Sequence, residues 1–179
     1  FERVKPLWAG ADIVMGNFEG AIAADASEVR ALGAHAYRYL MPVETLATYK
    51  AAGFTFLTVA NNHGLDAGPD GRAATLADLD AAGLAHGGSL EHPTAIQVVK
   101  GVKVGLIGTA PHLGCVPLDA EEVGRLIKGL KETDGCQVVV VTMHAGAEGA
   151  KAVHVPKRKE KYLGADRGDV HAFAHAVVD

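Results

Sequence analysis

Cysteine is almost missing from this chain: only Cys115 and Cys136 occur, and their separation matches neither a C-x-x-C pair nor a zinc-knuckle spacing. They read as buried, reduced fillers, which argues against a structural Cys-type zinc site. Aromatic residues make up 6% of the sequence, too few for a base-stacking platform. Positive charge is scarce as well. The net charge is −4, and the one basic run, Lys157-Arg158-Lys159-Glu160-Lys161, reads as a solvated loop, so no nucleic-acid partner is expected. No apolar run approaches the ~18–20 residues of a membrane helix, and no signal peptide is visible. The chain opens at Phe1 without a Met and closes at Asp179 inside a helical pattern, so both ends are expected to be cuts in a longer protein. No Gly-x-Gly-x-x-Gly or Walker pattern opens any helix, which weakens the case for a phosphate-binding module.

What is present fits one α/β domain over residues 1–179, with 49% hydrophobic residues, 21% charged residues and 22 glycines. Val4, Leu7 and Trp8 are spaced for one face of a short helix within residues 1–11, and Asp12 to Met15 is a strand candidate. Residues 21–40 show little regular pattern. Pro42 opens a helix with Val43, Leu46 and Ala47 inward and Gly53 as its stop. The β-branched run Thr55 to Val59 is a buried strand, and Asp70 to Ala82 is a helix facing inward through Ala73, Leu76 and Leu79. After a polar connection, Ala95 to Lys100 and Lys103 to Gly108 form strands joined tightly at Gly101, which makes the sheets mixed. Asp119 with Glu122 is a capping box, heading a helix with Val123, Leu126, Ile127 and Leu130 as its stripe. Gln137 to Met143 is the most apolar strand, and Val170, Phe173, Ala174 and Val177 mark a last helix. This alternation predicts right-handed crossovers with helices on both sheet faces.

The strand candidates deliver Asn17 and Glu19, then Asn61, Asn62 and His63, then His112 after a short loop, then His144. Sites in open α/β sheets lie at the carboxyl ends of strands. A carboxylate, amide oxygens and imidazoles suit Mn, Fe or Zn, whereas Mg or Ca would call for an all-oxygen set. A metal so held lowers the pKa of bound water towards ~7, and the hydroxide can attack a phosphoryl or carbonyl centre while an imidazole protonates the leaving group. Each residue has a plainer alternative: a solvated turn for Glu19, a cap for Asn61-Asn62, a hydrogen-bonded structural role for His144. His171 and His175 have i, i+4 spacing but flank a core stripe. His154, in the Gly149 to His154 stretch, is placed to line a substrate loop. Convergence outweighs any single member, because chance would not load successive strand ends with ligand types.

Asn17-Phe18-Glu19-Gly20, Ala60-Asn61-Asn62-His63-Gly64-Leu65-Asp66-Ala67-Gly68, the Val102 to Gly105 strand and Val141 to Glu148 resemble the poly-γ-glutamate capsule biosynthesis (CapA type) family, itself similar to calcineurin-like metallophosphoesterases. The resemblance implies a layered α-β-β-α sandwich with mixed sheets and two divalent metal ions, Mn, Fe or Zn, between sheet-end loops. It gives Glu19 the place of a bridging carboxylate, Asn62 and His144 those of metal ligands, His63 that of the proton donor, and Asn17 and Asn61 those of supporting or alternative ligands. His112 and His154 are assigned to substrate. The family's opening Gly-Asp motif is expected before Phe1 and its closing Gly-His-x-Pro-His motif after Asp179. The implied function is metal-dependent hydrolysis of phosphoesterase type, on an anionic polymer or small phosphoester, at the cell envelope with membrane-associated capsule machinery. The alternative is a non-catalytic polymer-handling component with a degenerate metal site.

Overall fold

The computed structural model describes residues 1–23 and 38–178. Among these, ten strands and four α-helices follow in chain order: β1 (Met15–Asn17), β2 (Ala21–Ile22), β3 (Leu40–Met41), α1 (Thr45–Ala52), β4 (Phe56–Thr58), α2 (Gly68–Ala81), β5 (Ala85–Gly87), β6 (Thr94–Val99), β7 (Val102–Thr109), α3 (Ala120–Lys128), β8 (Val138–Met143), β9 (Glu160–Tyr162), β10 (Ala165–Gly168) and α4 (Val170–Val178). A 3-10 turn covers Lys5–Trp8, and a π-helical turn, Gly129–Thr133, extends α3.

Two three-stranded sheets carry the architecture. One has the order β1-β4-β5, all parallel; the other has the order β6-β7-β8, with β7 antiparallel to β6 and parallel to β8. The connections β4-α2-β5 and β7-α3-β8 are βαβ units, as the alternating pattern requires. Leu46 of α1 and Leu76 and Leu79 of α2 pack with Phe18, Leu57 and Val59 against the first sheet. Val123 of α3 and Phe173 of α4 pack with Ile107 against the second. The uncovered faces meet each other. Gly108 of β7 lies so close to β4 that a Cβ there would clash with the Thr58 hydroxyl, and Gln97 of β6 donates to the Thr55 carbonyl at 2.6 Å. Helices therefore cover one face of each sheet, not both as the alternation suggested, because the other face is taken by the opposing sheet.

Local signals act as expected where a specific bond enforces them. The Asp119 carboxylate accepts the Glu122 N–H at 2.8 Å and caps α3. Gly53, with φ 94°, closes α1, and the β6–β7 hairpin turns through Lys100 and Gly101, both at positive φ. Other expectations need correcting. Val4, Leu7, Val43, Ala47 and Ala73 are exposed. Residues 21–40 contain β2 and the start of β3, which pair in parallel, while residues 24–37 of that stretch lie outside the described residues. The polar connection before β6 holds β5, and β9 and β10 form an unforeseen hairpin. These strands have two to four residues each, too few for a periodicity to show.

Candidate functional site

Four strands bring their carboxyl ends together. β1 ends at Asn17, in register with Thr58 at the end of β4, while β7 and β8 end in register at Thr109 and Met143. The His144 N–H then donates to the Thr109 carbonyl at 2.8 Å, which fixes His144 just past β8. Phe18, fully buried, anchors the turn after β1, so Asn17 and Glu19 on either side of it are turned outward.

Amide side chains tie these ends into one network. Asn61, 2% exposed, donates to the Asn17 Oδ1 at 3.0 Å and to the Phe18 carbonyl at 2.8 Å, and its Oδ1 accepts the His63 backbone N–H at 2.9 Å. Both amide protons and the amide oxygen are thereby engaged, so Asn61 supports its neighbours. Asn17 Nδ2 in turn donates to Glu19 Oε2 at 3.0 Å and lies 3.3 Å from His144 Nδ1. His144 Nε2 donates to Asn62 Oδ1 at 2.7 Å. One neutral tautomer, with its proton on Nε2, satisfies both contacts of His144.

His63 is held by groups the sequence left without a role. Its Nδ1 donates to Asp66 Oδ2 at 2.7 Å, and its ring stacks on Tyr39 with centroids 4.0 Å apart. The same Asp66 oxygen accepts the Tyr39 backbone N–H at 2.6 Å. Nε2 is the ring nitrogen left to face a reactant, and a carboxylate-oriented imidazole is a common form of general acid or base.

Burial pushes the pKa of His144 below the ordinary histidine value, with Glu19 opposing and Arg167 adding to the effect. His112 is lowered too, first by burial and then by Arg167, His144 and His63. Its Nε2 is buried with no partner among the described residues, and its ring centroid lies 6.2 Å from that of His144. Arg167 on β10, which no pattern flagged, is buried, pairs with Glu148 at 2.9 Å and donates through Nε to the Gly146 carbonyl at 2.9 Å. Only a tertiary structure could find it, since it comes from a four-residue strand far along the chain.

Asn17, Glu19, Asn61, Asn62, His63, His112 and His144 thus surround one sheet end. A cleft of about 240 Å³ opens there, lined by Met15, Gly16, Asn17, Thr58, Thr142, Met143 and His144. His154 is exposed on the loop after β8 and, among the described residues, makes no hydrogen bond to this group. The donor chemistry fits an intermediate divalent cation: a carboxylate from Glu19, an amide oxygen from Asn62 and a neutral imidazole from His144, whose Nδ1 would exchange its long 3.3 Å contact with Asn17 for the ion. Among the described residues, however, no three carboxylates and imidazoles of this set converge within metal-binding distance, so amide oxygens would have to complete any coordination shell.

These features define a class: a mixed α/β protein with amide, carboxylate and imidazole groups gathered on sheet-end loops. The chain belongs to the family described as "Bacterial capsule synthesis protein PGA_cap", whose match covers residues 1–168. It is 28% identical over 166 residues to "Capsule biosynthesis protein CapA" of Bacillus anthracis, covering 83% of this chain and 40% of the relative's length. Among solved structures, a 5'-nucleotidase precursor from Thermus thermophilus is similar at 17% identity and a TM-score of 0.46, over 69% of this chain and 34% of that one.

Proposed function

We propose that this chain is the core of a metal-dependent hydrolase of phosphoesterase type that acts in the assembly of an anionic envelope polymer. The observation that carries the reading is the His63–Asp66 pair, joined through Asn61 and Asn17 to Glu19, Asn62 and His144. A divalent cation held there by Glu19, Asn62 and His144 would act as a Lewis acid on a phosphoryl oxygen and acidify water. The protein's own residues supply the rest. Asp66 accepts from His63 Nδ1–H and fixes the ring plane, so that the ring, when doubly protonated, can deliver its Nε2 proton to a leaving oxygen and return to the neutral form. Asn17 aligns Glu19 with His144, and the buried Arg167 adds positive charge near His112. His112 and the loop carrying His154 are assigned to the substrate, either a small phosphoester or a phosphorylated end of the polymer.

The intact protein, assayed with added Mn²⁺ against a panel of phosphoesters, should turn over at least one of them. His63→Ala should lower kcat by about 10²–10⁴-fold, and Asn62→Ala should weaken metal activation. Unchanged turnover in both variants would overturn the reading. The family membership also supports a second reading, a non-catalytic component that handles the polymer, favoured by the loose convergence of carboxylates and imidazoles at the strand ends. It predicts no phosphoester turnover and no Mn²⁺-dependent thermal shift from this group.

A further inference from the structure

A second cluster of ligand-type side chains lies apart from the strand-end site. Asp80, in the last turn of α2, His86, in the middle of β5, and His92, on the loop before β6, each offer one ligand atom, and these atoms all lie within 4.8 Å of one another. His86 Nε2 donates to Asp80 Oδ1 at 3.0 Å, and the His86 and His92 rings have centroids 5.0 Å apart. The His86 side chain is 2% exposed, whereas that of Asp80 is 62% exposed.

A second observation concerns His86 itself. Its Nδ1 is buried and has no hydrogen-bond partner among the described residues. With the proton on Nε2 engaged by Asp80, Nδ1 carries a lone pair and nothing donates to it. A buried polar atom left in that state is costly, while Nε2, the nitrogen that faces Asp80, is the one placed to ligate once its proton is given up to solvent in exchange for a cation. Burial also pushes the pKa of His86 down despite the opposing pull of Asp80, so the ring is in the neutral, ligating form at neutral pH. The groups acting on His86 are Asp80 and His92, whereas those acting on His144 are Glu19, Arg167, Glu148 and His63, which marks two separate electrostatic neighbourhoods.

We propose that Asp80, His86 and His92 form a second cation site, selective for zinc-class transition ions over Mg²⁺. Two imidazoles and one carboxylate are a donor set that suits Zn²⁺ and matches Mg²⁺ poorly, since Mg²⁺ prefers oxygen ligands and holds its water. The exposed Asp80 and His92 can rotate to close the remaining distance, while buried His86 stays fixed. Bound metal would fasten the end of α2 to β5 and to the loop leading into β6, joining the first sheet to the start of the second.

The test is calorimetric zinc titration of the intact protein in a Glu19→Ala/His144→Ala background, which disables the strand-end ligands. That background should still bind zinc, and adding Asp80→Ala or His92→Ala should remove one zinc equivalent or weaken it at least tenfold. Both added substitutions are at exposed positions, so the fold should persist, and Mg²⁺ should give no saturable heat. Absence of zinc binding in the background, a smaller change on adding Asp80→Ala or His92→Ala, or equal binding of Mg²⁺ would overturn the proposal. Phosphoester turnover in the otherwise unaltered protein reports on the strand-end site alone, so the two ideas can fail separately.

Discussion

Asn61 shows how a single side chain can organise a site without touching substrate. Its amide joins β1 to the β4 loop and orients the backbone of His63, and it does so while almost completely buried. Asn61→Ala should therefore cost about 1–3 kcal/mol, since it strands buried partners, and urea unfolding would show it as a lower midpoint. Asp66→Asn makes a subtler change: the ring of His63 keeps an amide neighbour but loses the carboxylate charge that holds its proton on Nδ1. On the proposed reading, the expected result is a lower kcat with KM nearly unchanged, measured on a phosphoester that scores in the Mn²⁺-supplemented panel. Titration gives another residue-scale outcome. Burial holds the folded-state pKa values of His86, His112 and His144 below the ordinary histidine value of 6.5. Their unfolded forms take up protons first as pH falls, so the unfolded state binds more protons and stability declines below about pH 6.5. Urea midpoints should drop between about pH 7.5 and pH 5.5, above the range where ordinary carboxylates titrate, and His144→Asn should flatten the slope. Asn61, Asn62 and His63 stand out in the sequence because three polar residues follow an apolar strand. Tyr39, Asp66 and Arg167 carry no such signal, since their roles arise from stacking, a local carboxylate bond and a distant hairpin.

At the scale of elements, glycine separates contact from propensity. Gly108 has no room for a side chain, because a Cβ would press on Thr58 of the opposing sheet, whereas Gly124 in α3 has open space around it. Gly108→Ala should destabilise the protein by about 1–3 kcal/mol through overpacking, while Gly124→Ala should stabilise it by about 1 kcal/mol through helix propensity. Equal urea midpoints for the two variants would refute the close approach of the sheets. α3 was legible because its cap, its stripe and its length all agree, and the β6–β7 hairpin because long apolar strands flank Gly101 on both sides. α1 and α2 were legible as helices, but their inward faces were only partly so. Ala47 and Ala73 read as core by type, yet each lies on the solvent side of its helix.

Across the whole molecule, two helix-covered sheets face each other and their strand tips meet at one end, with residues of β1, β4 and β8 lining a shared cleft. The gathering of those residues could be anticipated, because ligand types recur after successive strands and the Asn-Asn-His block resembles one family's. How tightly they approach could not, since side-chain distances depend on how the sheets pack. His154 is read as lining a substrate loop from its place in the Gly149 to His154 stretch, and its side chain is exposed there with, among the described residues, no bond to the cluster. On the proposed reading, these tips hold a divalent cation through Glu19, Asn62 and His144. Anomalous diffraction at the manganese edge, from crystals of the intact protein grown with Mn²⁺, measures this directly. A peak within bonding distance of all three side chains is expected; a map with no peak there would rule the cation site out.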